Sequence, residues 1–315
     1  MMLARVADSL YWIGRYVERA EHMCRLSDVM LNATLDRSEA ATQVARIALA
    51  AVGDPDLAKA HNPYDAAQAL ALDREDDGSI YSSIARAREN ARQVRDQITT
   101  ETWERLNLIY LRMSGPEAAK AFADGSQLFL HDTIADLHLF KGAGDATMSH
   151  GEGWSFLLLG VYLERAQLIG SLLEVAFGEG RKRRPISDHF ALTSVLRMGC
   201  ALEPYLRVYT AEMQRRYILK FLMLDEDFPR SIRFCTQEIE THLTAITRHA
   251  GISGPAGPDR IAGRLRARLQ YADMAELEAQ GATAFLKTVL EECSTIHRAL
   301  YDAFVAYPLE DRLPA

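Results

Sequence analysis

Leu3, Val6, Leu10, Ile13, Val17, Ala20, Cys24, Ser27 and Leu31 recur at intervals of three and four, which marks the seam of one long helix. Trp12, Tyr16, Met23, Leu26 and Met30 run beside that seam and widen it, so the helix is expected to touch two neighbours. The pattern then returns. Sliding the chain by 146 positions pairs Ser9 with Ser155, Gly14 with Gly160, Tyr16-x-Glu18-Arg19-Ala20 with Tyr162-x-Glu164-Arg165-Ala166, Leu26 with Leu172 and Val29 with Val175. These are eight identities in 22 columns, where chance supplies about one or two. The second copy is apolar almost all the way round, as a helix enclosed by other helices must be.

After loops around Gly53-Asp54-Pro55 and His61-Asn62-Pro63, the stripe Ile80, Ile84, Ala87, Ala91, Val94 and Ile98 predicts another helix. Two more are expected over 101–112 and 116–140, the latter with Pro116 in its first turn. A glycine-rich stretch from Gly142 to Gly153 divides the halves. Beyond the second copy, 188–222 reads as one or two helices bent near Pro204. Asp227-Phe228-Pro229 opens a helix with the seam Ile232, Cys235, Ile239, Leu243 and Ile246, and two final helices cover 258–279 and 281–306. Leu72-Asp73 and Ser79-Ile80 match Leu224-Asp225 and Ser231-Ile232 at an offset of 152. No sustained two-residue alternation suggests a strand. The expectation is an all-α helical bundle of two repeats, 1–145 and 146–315, related by a pseudo-two-fold within one compact domain, with the long repeat helices central.

Composition narrows the classes of partner. A hydrophobic fraction of 48% with 25% charged residues is that of a globular chain rather than a disordered one. A net charge of −7 disfavours nucleic acid and anionic membranes, which call for surplus Lys and Arg. The dense basic run Arg181-Lys182-Arg183-Arg184 reads as a solvated linker. Cys24, Cys200, Cys235 and Cys293 lie far apart with no CxxC pair, neither a zinc pattern nor a disulfide framework. The N-terminus has no apolar leader and the apolar run Phe156 to Leu163 is too short to span a bilayer, so a cytoplasmic location is expected.

The repeated helix carries the candidate chemistry. On a wheel of 100° per residue, Glu164 is bordered by Leu157, Val161 and Leu168, and Arg165 by Leu158, Tyr162 and Leu172. Arg19 also has apolar neighbours, whereas Glu18 lies with Arg15, His22 and Arg25 on what reads as a wetter side. Buried ions need partners, and the repeat offers them: Glu18 to Arg165, and Glu164 to Arg19. These pairs are either a structural lock or the wall of a polar pocket. Arg86, Glu89, Asn90 and Gln93 share a stripe, as do Arg230, Arg233 and Gln237; such strips are either solvated or able to clamp carboxylates and phosphates. Two-metal helical bundles use Glu-x-x-His motifs, and here Glu18 and His22 are spaced i,i+4 while Glu164 has Gln167 and Leu168 in the equivalent places, so no metal is expected. His131 with His138, and His242 with His249, stand seven apart without matching the repeat offset. No phosphate loop, nucleophile elbow or redox pair is present, and no cofactor is predicted.

LYWIGRYVERAEHMCRL, SIARARENARQVRDQI and LKFLMLDEDFPRSIRFC together resemble the bacterial alpha-E family, a helical domain, over nearly the whole chain. The resemblance implies encoding beside ATP-grasp amide ligases and transglutaminase-like proteins, and so a role in making or modifying peptides with such a ligase as partner, either through a polar pocket near the repeated Glu-Arg pairs or as a non-catalytic, partner-binding scaffold in which those pairs are structural. Carried over by motif, it marks Glu18, Arg19, Glu164, Arg165, Arg86, Glu89, Asn90, Arg230 and Arg233; Arg15, Tyr16 and Tyr162 complete the candidate pocket. The chain departs from the pattern at Val161, where a basic residue is expected by analogy with Arg15, and at Leu202-Glu203-Pro204.

Overall fold

The computed structural model describes residues 2–35, 38–53, 62–178, 188–251, 257–275, 277 and 281–306. These form α1 (Ala4–Ala33), α2 (Glu39–Val52), α3 (Pro63–Leu72), α4 (Ile80–Gln93), α5 (Thr100–Ser114), α6 (Ala118–Asp124) and α7 (Ser126–Thr147). The chain continues with α8 (Glu152–Phe177), α9 (His189–Met198), α10 (Leu202–Tyr209), α11 (Arg215–Leu224), α12 (Ile232–Ala250), α13 (Pro258–Gln270) and α14 (Ala282–Phe304). No strand occurs among the described residues.

The two repeat helices α1 and α8 pack directly on each other. Around them, α1 meets α2, α4 and α7, α8 meets α12 and α14, and α5 and α13 cover α4 and α12 from outside. Leu157, Leu159, Leu163, Ile169 and Leu172 of α8 are all buried, which fulfils the all-round apolar pattern. α8 is the one described helix long and apolar enough to cross a membrane, and it is mostly buried in the protein.

Local chemistry sets the ends. The Ser79 side chain accepts from the Ser82 amide at 3.0 Å and its hydroxyl donates to the Asp73 carbonyl, while Ser231 accepts from the Phe234 amide at 3.0 Å and donates to the Asp225 carbonyl. Each serine satisfies an otherwise orphaned amide of the first turn. The Asp73 carboxylate accepts the Glu75 and Asp76 amides, and Asp225 accepts those of Asp227 and Phe228. The short Leu-Asp…Ser-Ile match is therefore a helix-entry turn built twice.

Several boundaries differ from expectation. The helix expected over 116–140 is interrupted at Gly125 between α6 and α7, and α7 runs on to Thr147. Gly142 and Gly144 thus lie inside α7 rather than in a linker. Pro204 does not bend one long helix, because it occupies the first turn of the separate α10, where its missing amide donor costs nothing. α12 begins at Ile232 rather than at Pro229, its start set by the Ser231 cap. The last two helices are shorter than expected at 258–270 and 282–304, and α2 and α3 were not foreseen. The basic run 181–184 lies outside the described residues.

Candidate functional site

The site begins with two glycines. A Cβ placed on Gly14 would lie 2.0 Å from the Leu157 carbonyl oxygen and 2.9 Å from the Val161 nitrogen; on Gly160 it would lie 2.0 Å from the Tyr11 oxygen and 2.9 Å from the Arg15 nitrogen. Leu157 and Val161 are Tyr11 and Arg15 shifted by 146, so the contacts are reciprocal. The α1 and α8 backbones touch at this crossing, and one turn further along each helix stand Glu18 and Glu164.

Glu164 accepts from Arg15 Nε at 2.5 Å and from Arg19 Nε at 2.7 Å. Arg15 spends its remaining nitrogens on the Tyr11 hydroxyl at 2.9 Å and the Gln167 amide oxygen at 2.6 Å. Tyr11 in turn bonds His297 Nδ1 of α14 at 2.8 Å. Glu18 accepts a fork from Arg165, Nε at 2.8 Å and Nη2 at 2.9 Å, while Arg165 Nη1 donates to the Pro229 carbonyl at 3.0 Å. Both predicted pairs, Glu18 with Arg165 and Glu164 with Arg19, are formed.

Glu18 is not on a wet side, however. It is fully buried, as are Glu21 and His22. The cover comes from outside α1: Lys141 of α7 reaches Glu18 and Glu21, at 2.5 Å each, and Arg230 from the turn before α12 ion-pairs with both. Arg25 and His138 also hold Glu21, at 2.7 and 3.1 Å. A wheel of one helix cannot reveal what the neighbouring helix brings over it. Burial pushes the Glu18 carboxyl up, but Arg165, Lys141 and Arg230 outweigh it and the net shift is downward. Glu21 is likewise lowered, by Lys141 and Arg230 against burial. In this network six cations, Arg15, Arg19, Arg25, Lys141, Arg165 and Arg230, surround three carboxylates, Glu18, Glu21 and Glu164. His22 sits among them fully buried, with neither ring nitrogen hydrogen-bonded among the described residues. Burial, and then Arg230, lower its pKa to about 4.

The other candidates fall into two groups. The Tyr16 ring lies under both Arg19 and Arg86, at 5.7 and 5.9 Å, and Arg86 ion-pairs with Asp77, so these three border the network on its outer side. Tyr162 packs beneath Arg165 at 5.2 Å, its hydroxyl raised to about 12 by burial. Glu89 instead pairs with Arg92 on the surface, Asn90 bonds the Arg86 carbonyl of its own helix, and Arg233 pairs with Glu226. The strips 86–93 and 230–237 are thus not single clamps. Sequence reasoning missed Glu21, Lys141 and Gln167. Glu21 was legible, since it lies three residues after Glu18 on one helix; Lys141 carried no local signal. No group of three or more His, Cys, Asp or Glu able to hold a metal occurs among the described residues.

Beside Glu21 and Arg25 opens a cavity of about 690 Å³ between α1, α7, α9 and α10. Its polar lining includes Arg25, Asp28, His131, His138, Arg197 and Glu203.

A family model described as Alpha-E, "a predicted alpha-helical domain with a conserved ER motif", matches residues 2–305. Uncharacterized proteins of Mycobacterium bovis and Mycobacterium tuberculosis are 26% identical over 321 residues, a match covering 95% of this chain and 36% of each relative. The chain therefore spans about a third of the length of these curated relatives. No solved structure matches.

Proposed function

The chain belongs to the Alpha-E family, and from that premise we propose that it is the helical component of a bacterial peptide or amino-acid amide synthesis or modification system, acting with an ATP-grasp-type ligase. In this reading the Glu-Arg pairs hold the crossing of α1 and α8 together and do no acid–base chemistry, the ligase performs the bond-forming step, and this chain binds or presents a reactant. The observation that carries the structural role is that each network carboxylate is buried and held by at least two cations. A general acid or base near neutral pH needs a pKa close to the working pH and a site open to its substrate; Glu18 and Glu21 are shifted the other way and enclosed. The ligase partnership rests on the family's genomic company. It is also consistent with relatives in which roughly two thirds of the chain lies outside the match. A cytoplasmic location and a pseudo-two-fold relating the two halves belong to the same proposal, the latter supported by the reciprocal glycine contacts and crossed Glu-Arg pairs.

The test is reconstitution with an ATP-grasp-type ligase from the same organism, followed by mass spectrometry of ATP-dependent products. A product that forms only when both proteins are present supports the reading. Equal product from the ligase alone overturns it. Glu164→Gln should lower product only in proportion to the loss of folded protein; a tenfold fall at unchanged stability would place Glu164 in the chemistry instead.

A further inference from the structure

Alongside the charge network, the cavity between α1, α7, α9 and α10 has ionic walls of both signs, and two of those charges are solvated and have no protein partner among the described residues. Arg25 and His138 are tied to Glu21, and His131 pairs with Asp28 at 3.2 Å. Arg197, in the last turn of α9, and Glu203, in the first turn of α10, have no side-chain hydrogen bond or ion pair among the described residues, yet both line the cavity. They stand on either side of the Gly199–Ala201 connection, where Cys200 adopts the left-handed conformation with φ 54°. The rest of the lining is mixed, with Val29, Ile134, Phe190 and Leu202 apolar and Asn32 and Ser194 polar.

We propose that this cavity binds a short peptide with a free amino and a free carboxyl end, Arg197 receiving the carboxylate, Glu203 the ammonium, and the apolar residues the side chains. A guanidinium matches a carboxylate through two parallel hydrogen bonds. An opposite charge one short connection away suits the other end of a zwitterion, and convergent polar groups in a cleft fix a ligand's orientation. At about 690 Å³ the cavity lies within the range of about 300–1,000 Å³ usual for small-ligand pockets and has room for a short peptide. The surroundings also disfavour a simple inorganic anion. Such an anion would use Arg197 while leaving Glu203 as a nearby repulsive charge and the apolar residues bare.

The assignment deepens the proposed function by naming the reactant class, and it rests on that reading only for its biological sense. The binding test needs no ligase. L-leucyl-L-leucine titrated calorimetrically into the full chain should bind, and N-acetylation and C-terminal amidation should each weaken binding at least tenfold. Arg197→Gln should bind the acid and the amide alike, and Glu203→Gln should bind the free and acetylated amines alike. Both positions are exposed, so each variant should keep the parent circular dichroism and melting temperature. Absence of binding at millimolar peptide, equal binding of the doubly blocked peptide, or unchanged discrimination in both variants would overturn the assignment. Inorganic phosphate displacing the dipeptide as effectively as a second peptide would do so too, since it would show an anion site alone. Should the peptide bind while the ligase proves indifferent to this chain, the cavity assignment stands and the ligase partnership falls.

Discussion

Glu18 and Glu164 occupy the same place in the Tyr-x-Glu-Arg-Ala motifs of α1 and α8, yet the protein holds them by different means. Glu164 takes both of its arginines, Arg15 and Arg19, from the facing helix α1. Glu18 takes one, Arg165, from α8, because Val161 stands where Arg15 would be on the other copy. Its further cations come from elsewhere: Lys141 from α7 and Arg230 from the α12 entry turn. In the matching entry turn before α4, the position equivalent to Arg230 is Gly78, which reaches nothing comparable. The cations that Glu18 lacks on the facing helix come from the periphery instead. The result is a carboxylate that ties four segments together instead of two, so the two glutamates are each neutralised by different sets of residues.

The strongest way to break the comparison is at its pivot. Gly14→Ala and Gly160→Ala each drive a Cβ to 2.0 Å from a backbone oxygen, and backbone cannot swing aside as a side chain can. Each should cost more than about 4 kcal/mol, in the range of the most damaging single substitutions, and reduce or abolish folded protein as read by circular dichroism and thermal melting. Near-native stability in either variant would mean that the helices do not touch there. Next in size, Glu18→Gln should cost about 3 to 5 kcal/mol in urea unfolding, because it strips counter-charge from three buried or half-buried cations. Glu164→Gln should cost less: Arg15 keeps Tyr11 and Gln167, and the Arg19 side chain is 24% exposed. The reverse order would show that the peripheral cations contribute little.

The smallest effect concerns His22, which belongs only to the Glu18 side. Its pKa lies below the ordinary 6.5, so the folded protein keeps it neutral while the unfolded chain takes up a proton as pH falls. Its contribution is therefore complete above pH 6.5 and is lost progressively as pH falls from there to about 4, where the folded form also protonates. A shift of that size amounts to about 3 kcal/mol. Since neither nitrogen has a partner among the described residues, His22→Leu should leave stability at pH 7 within about 1 kcal/mol and flatten the fall between pH 6.5 and 4. A large loss at pH 7 would reveal a partner for the imidazole.

Much of this fold was legible because its strongest signals are local or repeated. The three-and-four spacing of α1, the duplicated Tyr-x-Glu-Arg-Ala and the Ser-Ile helix starts all report on side chains whose environment the helix itself dictates. The crossed pairs Glu18–Arg165 and Glu164–Arg19 could be read because two identical charged motifs on enclosed helices have few other partners. Lys141, Arg230 and the burial of Glu18 depend on how α7 and the α12 entry turn lie across α1, which no periodicity encodes. The break at Gly125 and the three-way division of 188–222 follow from turns with no distinctive motif. Glu89 and Asn90 looked promising for want of a distinction that only packing supplies, namely which side of α4 faces α1.

The crossing at Gly14 and Gly160 also has a consequence for how the chain reaches its structure. Residues so far apart in sequence meet backbone to backbone at the centre, so the contact cannot form while only the first half has emerged from a ribosome adding on the order of 5–20 residues per second. Until α8 appears, the surface of α1 that will receive it has no native cover. Contacts of such long sequence separation slow folding, because a large loop must close before any central packing is gained. Nascent chains that have not yet brought α8 and its later partners out of the ribosome are accordingly where this protein most needs a chaperone, and chains stalled before Glu152 should recruit more holdase than the released full chain.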